Sequence, residues 1–482
     1  MQKMELDEIQ NVILSGYSHQ PVSSYLFLQM PTLQAARDWL TQITPNITMA
    51  TPWPKDANGK VQPPATCLNI AFTHEGLEML KIGLDGFQTE FCEGMAGPVD
   101  TQDPTKLVNR ARRLGDTGDS QPTNWEFGGP MGDTIHCLLL LFATNTDTLT
   151  TLRDQQLALL QQHEIKVVTI QAAYRPIHSR EPFGFMDGFS QPAVEGSVEG
   201  DTTADHQPII KTGEFLLGYR NEYNLFAPAP TQPALARNGS YLVYRKMEQD
   251  VVGFWNFVYA MSGQDGVKAE KLAAKMVGRW RSGAPLTIAP DQDDQILAAD
   301  LDKSNDFTFA DTDLAGYSCP VGSHIRRVNP RDALQPDPAA SLVDVNRHRI
   351  LRRGRAYGPE YPQDVVQHLL QVAQAQGANQ FVSDGEGSRG LAQIIINADI
   401  KRQFEFIQQS WVNDPKFDGS YDTRDPLIGN NGEDKNKADN MTIARHPVRQ
   451  VIQNVPRFVK ILGGGYFFLP SRSGLRFIAG QQ

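Results

Sequence analysis

Cysteine is scarce in this sequence, and its scarcity argues against two kinds of small domain. The chain has only four cysteines among 482 residues, at positions 67, 92, 137 and 319, and none of them forms a Cys-x-x-Cys pair. Disulfide frameworks and structural zinc sites need closely and regularly spaced cysteines. The sequence therefore predicts neither feature, and a reducing, cytoplasmic location is the simplest expectation.

Long apolar runs and an excess of basic residues are also missing. No stretch approaches the roughly 20 apolar residues of a membrane-spanning helix, and acids stand where a secretory signal would be basic. The formal net charge is -10, whereas nucleic-acid-binding domains usually carry a basic face. We therefore expect no membrane and no nucleic-acid partner. The 40% of hydrophobic residues is typical of a packed globular protein.

Common nucleotide-binding and hydrolase motifs are absent as well. The sequence contains no Gly-x-Ser-x-Gly, no His-Glu-x-x-His and no P-loop. The stretch GEGSRG at 385–390 matches Gly-x-Gly-x-x-Gly, but a dinucleotide-binding turn follows a strand and begins a helix. This stretch precedes an apolar, strand-like segment, and we interpret it as a loop.

The first part of the chain alternates short apolar segments with amphipathic ones. Period-2 and period-3.6 patterns distinguish strands from helices. They predict strands at 24–30, 66–73, 135–144 and 165–175, and helices at 32–43, 74–83 and 146–163. This order is the ferredoxin-like α+β pattern, in which helices cover one face of an antiparallel sheet. We expect a first module at 1–195.

A second copy of this pattern is predicted for 196–482. It has strands at 239–247, 390–399 and 465–471 and an amphipathic helix at 400–411. Between its halves, at about 282–389, lies a long insertion rich in Pro, Asp and Gly. Long loops in compact domains are commonly functional. We therefore expect this insertion to carry functional residues.

An acid stands in an unusual setting in the segment GFMDGFSQP at 184–192. Asp187 lies there among glycines, aromatics and a proline. An aspartate in this context is typical of a tight turn, because its side chain accepts hydrogen bonds from the nearby backbone. The alternative is an acid held at the mouth of a reactive pocket. The segment by itself leaves both interpretations open.

The insertion contains a histidine and several arginines. His324 in YSCPVGSHIRRVNPRD is followed closely by Arg326, and guanidinium groups bind carboxylates in a bidentate manner. A single histidine is by default an ordinary surface or core residue. Downstream, in HRILRRGRAYGPEYP, the apolar neighbours of Arg352 are compatible with an inward-pointing guanidinium, with Arg349 and Arg353 in solvent. A plain basic surface patch is the alternative.

Five segments, in this order, resemble the dye-decolourising peroxidases, a family of haem enzymes, and specifically its longer soluble group. They are GFMDGFSQP, CPVGSHIRRVNPR, RILRRGRAYGPE, ADIKRQFEFIQQSW and YFFLPSRSGLR. They span most of the chain from residue 184 onward, and ELDEIQNVILSGY resembles the family's opening. The resemblance implies two ferredoxin-like modules of the dimeric α+β barrel type and one haem b per chain.

Positions that match the family's motifs acquire expected roles. The resemblance implies His324 as the iron ligand, Asp187 as the distal acid that moves a proton of hydrogen peroxide, and Arg352 as the distal arginine. Arg326 is a candidate partner of a haem propionate. Asp425 in RDPLIG is a candidate partner of the second ring nitrogen of His324. A dry pocket is expected to raise the pKa of Asp187, and the enzyme is expected to have an acidic optimum.

One position departs from the family's pattern. The family usually has Leu and then Phe at the positions of Leu391 and Gln393, which are expected to line the distal face of the haem. Leu391 fits this pattern and Gln393 does not. An amide at this place would change the water content of the pocket, and with it the rate, the pH profile or the range of donors.

The expected activity is the reduction of hydrogen peroxide with one-electron oxidation of dyes or phenolic donors, through an oxyferryl intermediate. Two alternatives belong to other classes: a haem-binding carrier or sensor with weak peroxidase activity, and a haem-free scaffold kept for assembly. Homo-oligomers are compatible with the fold, since related barrel sheets associate. For bulky dyes, Trp280, Tyr357 and Trp411 are candidate electron carriers, with ordinary packing as the alternative.

Overall fold

A computed structural model describes residues 3–97, 109–188, 190–197, 207–362, 364–432 and 439–481. Within these ranges, antiparallel strands are covered by helices, so the α+β fold class predicted from the sequence is confirmed. No helix in the described ranges combines the length and the apolar character that a membrane crossing requires.

The first part of the chain follows the predicted order. Its strands are β1 (Val22–Gln29), β2 (Thr66–Phe72), β3 (Cys137–Ala143) and β4 (Lys166–Tyr174), and its helices are α1 (Leu33–Ile43), α2 (His74–Met79), α3 (Thr89–Glu93), α4 (Asn109–Leu114) and α5 (Thr146–Gln162). Side-chain caps fix the start of the two long helices, because they satisfy backbone N–H groups that lack a partner within the helix. Thr32 caps α1, and Asn145 caps α5.

The second part contains the remaining elements. The strands are β5 (Ala193–Val194), β6 (Ile209–Ile210), β7 (Ser240–Gln249), β8 (Leu351–Arg352), β9 (Arg355–Tyr357), β10 (Gly390–Asn397), β11 (Met441–Ile443), β12 (Gln450–Ile452) and β13 (Val459–Leu469). The helices are α6 (Val251–Met261), α7 (Gly266–Val277), α8 (Gln295–Ala299), α9 (Leu301–Asn305), α10 (His324–Val328), α11 (Pro338–Asn346), α12 (Val365–Ala375) and α13 (Arg472–Ile478), with π-helical turns at Lys401–Glu405 and Ile407–Val412. The insertion thus holds α8 to α12, β8 and β9, and is more ordered than its composition indicates.

The long strands of both parts form one closed sheet. Its order is β7-β13-β2-β3-β1-β4-β9-β10, and β10 pairs again with β7. Two narrow contacts join the parts: Phe468 of β13 faces Phe72 of β2, and Tyr174 of β4 faces Ala356 of β9. Since β9 comes from the insertion, the insertion takes part in closing the barrel. The division into modules at 195/196 stays a prediction.

The alternation of side chains along the strands decides where a site can lie. Successive residues of a strand point to opposite faces of the sheet. Tyr244 of β7 and Ile394 of β10 belong to a buried cluster to which nearly every long strand contributes, as expected for the barrel interior. Met247 and Leu391, opposite each other across β7 and β10, belong to the other face. This outward face is the floor of the candidate site, and the insertion lies over it.

Candidate active site

A cavity of about 260 Å³ lies between the outward face of β7 and β10 and the insertion. Of the residues predicted for the site, the following line it: Asp187, His324, Arg352, Leu391 and Gln393. They come from well-separated segments of the chain. The two other predicted residues, Asp425 and Arg326, are absent from the cavity wall and lie in very different surroundings.

His324 is held from behind by a buried carboxylate. It is the first residue of α10, and its Nδ1 lies 2.8 Å from Oδ2 of Asp425. Asp425 has no exposed surface, and its Oδ1 accepts the backbone N–H groups of Leu427 and Ile428 at 2.9 and 3.0 Å. This carboxylate favours the tautomer of His324 with its proton on Nδ1, which leaves the Nε2 lone pair for a metal.

Asp187 and Arg352 form an ion pair in the same cavity. Oδ1 of Asp187 lies 3.0 Å from Nη1 of Arg352, and it also accepts the backbone N–H of Gly188 at 2.6 Å. The Arg352 and Asp187 side chains keep 36% and 42% of their surface accessible. Because both line the cavity, a small molecule bound there can contact the two charged groups at once.

This ion pair reverses the predicted shift of the Asp187 pKa. Burial by itself raises the pKa of this carboxyl, as the sequence analysis expected. The charge of Arg352 and the hydrogen bonds from Gly188 and Arg352 outweigh burial, so the pKa of Asp187 lies below its ordinary value. The prediction of a raised pKa is wrong, and Asp187 stays ionised to a lower pH than an exposed aspartate.

The loop that carries Asp187 is both a turn and part of a pocket. The N–H of Asp187 donates to the carbonyl of Ser179 at 2.9 Å. Gly184 has a φ of +98°, and a Cβ at this position would lie 2.6 Å from Cγ1 of Val365. Glycine is therefore required for a close approach within the protein. The two interpretations of GFMDGFSQP are compatible, since the turn directs the acid into the cavity.

Arg326 points away from the cavity. It is 1% exposed, and its guanidinium donates to the carbonyl oxygens of Asp313, Leu314 and Cys319. A guanidinium bound in this way fixes the surrounding loop and is not free to pair with a carboxylate of a cofactor. The structure does not support the prediction that Arg326 binds a haem propionate.

Two arginines that the sequence analysis did not assign line the cavity instead. They are Arg331, in the Asn-Pro-Arg turn after the His324 segment, and Arg349. Burial lowers the pKa of each guanidinium to about 9, so both are cationic at neutral pH. The expectation that Arg349 and Arg353 lie in solvent is wrong, since Arg353 donates to backbone carbonyls near the N-terminus. The Asn-Pro-Arg turn was the available sequence signal.

The segment predicted as an amphipathic α-helix is wound into wider π-helical turns. Phe404, Ile407 and Trp411 of this segment line the cavity. Gln408 from the same segment also reaches the wall. Wide helical turns are rare and are frequent at functional sites. The amphipathic pattern predicted a helix here but not its π-helical winding.

Gln393 separates the active-site cavity from a polar recess of about 20 Å³, here named the Gln393 recess, which is also lined by Arg245 and Asn430. Arg245 stands opposite Gln393 across β7 and β10 and forms an ion pair with Asp116. In the described part of the chain, Nη1 of Arg245 and Oδ1 of Asn430 have no hydrogen-bond partner. A space of this size with such polar groups fits one water molecule.

The groups around the cavity fit a haem. Much of the wall is apolar, including Phe183, Phe185, Ile325, Val328, Leu391 and Leu427. A flat apolar cofactor with an iron ion and two carboxylates needs such a surface, one neutral imidazole nitrogen and nearby cations. His324 offers the nitrogen, and Arg331 and Arg349 offer the cations. The protein therefore provides each kind of contact that this cofactor requires.

Solved structures of related proteins share the fold over the whole chain. A dye-decolorizing peroxidase in complex with 2,6-dimethoxyphenol has a TM-score of 0.77 and 28% sequence identity, with 99% of this chain and 100% of that chain covered. A peroxidase of this type from Auricularia auricula-judae has a TM-score of 0.75 at 26% identity, covering 100% of this chain and 99% of the other.

Sequence comparison leads to the same family. The DyP dimeric alpha+beta barrel domain matches residues 8–176. A dye-decolorizing peroxidase of Mycena epipterygia is 31% identical over 508 residues, covering 99% of this chain and 87% of that protein. A multifunctional dye peroxidase of an Amycolatopsis species is 28% identical, covering 98% of this chain and 95% of that protein. The chain belongs to the dye-decolourising peroxidase family and is a peroxidase.

Proposed function

We propose that this peroxidase binds one haem b through His324, reduces hydrogen peroxide in the described cavity and oxidises organic donors by one-electron steps. One observation carries the proposal: the His324–Asp425 pair and the Asp187–Arg352 pair converge on one cavity from distant parts of the chain. A surface histidine and a plain turn would not produce this convergence.

His324 and the cavity arginines would hold the cofactor. When bound, haem supplies a redox-active iron with an open coordination position. Nε2 of His324 is the proposed iron ligand, and Asp425 keeps the ring in the required tautomer and orientation. Arg349 is a proposed partner of the haem carboxylates, in place of Arg326. Arg331 is a second one through its other N–H groups, since its Nη1 already donates to the carbonyls of Asn305 and Phe307. Leu391 belongs to the apolar wall against the ring.

Asp187 moves a proton between the two oxygens of peroxide. Heterolytic cleavage of the O–O bond requires that one oxygen lose its proton and that the leaving oxygen gain one. The ionised carboxylate accepts the first proton and returns it to the leaving oxygen, which departs as water. Because the pKa of Asp187 is lowered, the ionised form persists in acid. This is the physical basis of the expected acidic optimum.

Arg352 stabilises the charge that develops during this cleavage. The leaving oxygen becomes negative before it is protonated, and a guanidinium fixed beside it lowers the energy of the transition state. Arg352 is held for this role by the contact of its guanidinium with Asp187 and by the hydrogen bond from its backbone N–H to Oε1 of Gln191 at 2.9 Å. The two distal groups therefore act as a unit.

The reducing substrate is proposed to be a phenol, a dye or a similar organic donor. One solved relative is described as a complex with 2,6-dimethoxyphenol. Of the candidate electron carriers, Trp280 and Trp411 line the cavity and Tyr357 does not. We propose Trp280 and Trp411 as the residues that pass electrons from a donor too large to enter. We further propose that the protein is cytoplasmic and that it associates with copies of itself.

Absorption spectra of the wild type and of His324→Ala, supplied with haem, test this function. We expect a Soret band in the wild type that is lost in the variant. One equivalent of peroxide should change the wild-type band rapidly, and a phenolic donor should restore it. A Soret band that does not change when peroxide is added would indicate a haem carrier or sensor. A colourless protein would indicate a haem-free scaffold.

A further inference from the structure

Two turns of the chain, at 180–186 and 220–226, have the same hydrogen-bond pattern. In each turn, the guanidinium of the first residue, Arg180 or Arg220, donates to the backbone carbonyl four residues later. The backbone N–H of the second residue, Glu181 or Asn221, likewise donates to the carbonyl four residues after it. The side chain of this second residue accepts hydrogen bonds from the backbone N–H groups of the residues two and four positions after it. This accepting residue is Glu181 in the first turn, which leads to Asp187, and Asn221 in the second.

Comparison of the two turns shows that the pattern does not require a charged group. Oδ1 of Asn221 alone accepts its two N–H groups at 3.0 and 3.1 Å. Glu181 distributes the equivalent bonds over Oε2 and Oε1, each at 3.0 Å. A neutral amide is sufficient for the second turn. The ionisable carboxyl of Glu181 is therefore an additional feature of the turn beside the active site.

Glu181 lies between two cavities. It lines the active-site cavity together with Asp187, and it also lines a smaller cavity of about 30 Å³, here named the side cavity. The exposed residues His178 and Glu360 line the side cavity, which therefore reaches the surface. Among the described residues, Glu181 is common to the walls of both cavities.

The surroundings of Glu181 leave its charge without a counter-ion. In the described part of the chain, its one side-chain partner is Gln249, whose Nε2 donates to Oε2 at 2.7 Å. Burial raises the pKa of Glu181 to about 7, the hydrogen bonds from Phe185, Gln249 and Phe183 oppose this rise, and the charge of Asp187 adds to it. Glu181 consequently exchanges its proton near neutral pH.

The other titratable groups around Glu181 divide between the two cavities. Those in the side cavity are Tyr174, His178, Arg180, Glu360 and Tyr361. Those in the active-site cavity are Asp187, Arg279, His324, His348 and the arginines Arg331, Arg349 and Arg352. Arg180 donates to the carbonyls of Gly184 and Arg281. It is therefore occupied by the turn and does not neutralise Glu181.

We propose that Glu181 is a proton-relay residue that passes protons from the surface, through the side cavity, to the active-site cavity. The inference rests on the proposed function. Reduction of peroxide follows H2O2 + 2 H+ + 2 e- → 2 H2O, in which the organic donor is oxidised and supplies the electrons. A donor oxidised outside the cavity releases its own protons to solvent, so the two protons consumed must enter separately.

The relay needs no contact between Glu181 and peroxide. Ionised Glu181 takes a proton from water in the side cavity, where His178 and Glu360 lie at the mouth. Protonated Glu181 releases it to water in the active-site cavity, from which Asp187 or the product oxygen takes it. Glu181 is then ionised again and the cycle balances, with one proton carried per passage and two passages per peroxide.

Four proteins that form two isosteric pairs test the relay: the wild type with Glu181→Gln, and Glu181→Asp with Glu181→Asn. Within each pair the shape is kept, and the amide lacks the exchangeable proton and one of the two oxygens that accept the N–H groups of Phe183 and Phe185. We expect all four to keep the Soret band and its response to one equivalent of peroxide. Steady-state turnover with a bulky dye should fall on the order of tenfold in the two amide variants compared with their acid partners.

The pH profile provides the readout that a purely structural role would not change. Wild-type turnover should decline as pH rises through about 7, because the protonated form of Glu181 is lost. The amide variants should be slow and lack this inflection. Equal turnover within both pairs from pH 5 to 8 would overturn the relay, as would an Asp variant as slow as the Asn variant.

Failure of the relay is distinguishable from failure of the proposed function. A wild type that binds haem but does not turn over peroxide contradicts the proposed function. An active wild type with equally active amide variants contradicts the relay alone. Melting temperatures identify a variant that does not fold; if Glu181→Gln fails, the Asp and Asn pair decides, since Asn is the residue already used by the turn at 220–226.

Discussion

Two carboxylates at the active site are paired with basic groups, Asp187 on the cavity wall and Asp425 behind His324, and they differ clearly in burial. Asp425 has no exposed surface, and both of its oxygens accept hydrogen bonds, from His324 and from two backbone N–H groups. Asp187 is 42% accessible and is bonded through Oδ1, so Oδ2 is open to the cavity. We expect Asp425 to orient His324 and Asp187 to react.

The pKa values of the two groups do not distinguish these roles. Burial raises the pKa of each carboxyl, and a paired base together with backbone N–H donors lowers it by more, so both end below the ordinary value. Access to the cavity is what differs. A shifted pKa therefore identifies a group under strong electrostatic influence, while its exposed oxygen identifies the group that exchanges protons with a substrate.

The largest loss of reactivity toward peroxide is expected from removing Arg352, the cation of the solvent-accessible Asp187–Arg352 pair. In Arg352→Leu, the negative charge that develops on the leaving oxygen is no longer stabilised. The second-order rate constant for peroxide should fall by about 10²–10³-fold, with the Soret band retained. Stopped-flow absorption spectroscopy measures this rate. Loss of haem instead would assign Arg352 to cofactor binding.

The next effect is expected from neutralising the accessible carboxylate. Asp187→Asn cannot accept the proton of peroxide, so the same rate constant should fall by about 10²-fold. Wild-type activity should decline as pH falls through the lowered pKa of Asp187, because the ionised form is lost. The Asn variant should lack this acid limb. Full reactivity in Asp187→Asn would exclude Asp187 as the proton carrier.

A smaller effect, on haem affinity or activity, is expected from changing the His324–Asp425 pair. Asp425→Asn removes the charge that orients His324, and we expect haem affinity or activity to fall by about 10–100-fold. Haem transfer to an acceptor protein measures the affinity. Asp313 is a matched control, since it is also buried and accepts backbone N–H groups of Ser318 and Cys319, but its basic neighbour is Arg326, at 3.8 Å, and not His324. Asp313→Asn should lower the melting temperature with little change in haem affinity.

The smallest effect on peroxide reactivity is expected at Gln393, the position that departs from the family's pattern. Gln393→Leu removes an amide from the wall of the Gln393 recess, and an ordered water there would lose one polar neighbour. The rate constant for peroxide should change by no more than about threefold, since a bridging water contributes little net free energy. A crystal structure of the variant would show whether the water remains. A change comparable to that in Asp187→Asn would make Gln393 part of the proton pathway.

Sequence patterns predicted the elements of the fold well because each pattern reflects local physics. Short apolar segments identified β1 to β4, and apolar residues at helical spacing identified α1. The insertion was harder, since β8 and β9 are very short and are stabilised by pairing with β10. The module boundary at 195/196 stays a prediction, because the strands of both parts belong to one closed sheet.

Motifs predicted most of the site, and they failed where a side chain's direction decides its role. His324, Asp187 and Arg352 reach the cavity as expected, and Asp425 contacts His324. Arg326 was the wrong choice among neighbouring arginines. Arg331, a few residues further, lines the cavity instead, and sequence distance from His324 does not show this.

The sequence by itself determined the α+β class and the family, because local patterning and the order of motifs are properties of the chain. Only the tertiary structure decided which arginines face the cavity, that Arg352 lowers the pKa of Asp187, and that Glu181 stands between two cavities. These features depend on distances and burial between residues far apart in the chain. Electrostatic effects follow distance and solvent access, which are fixed only when the barrel closes and the insertion covers it.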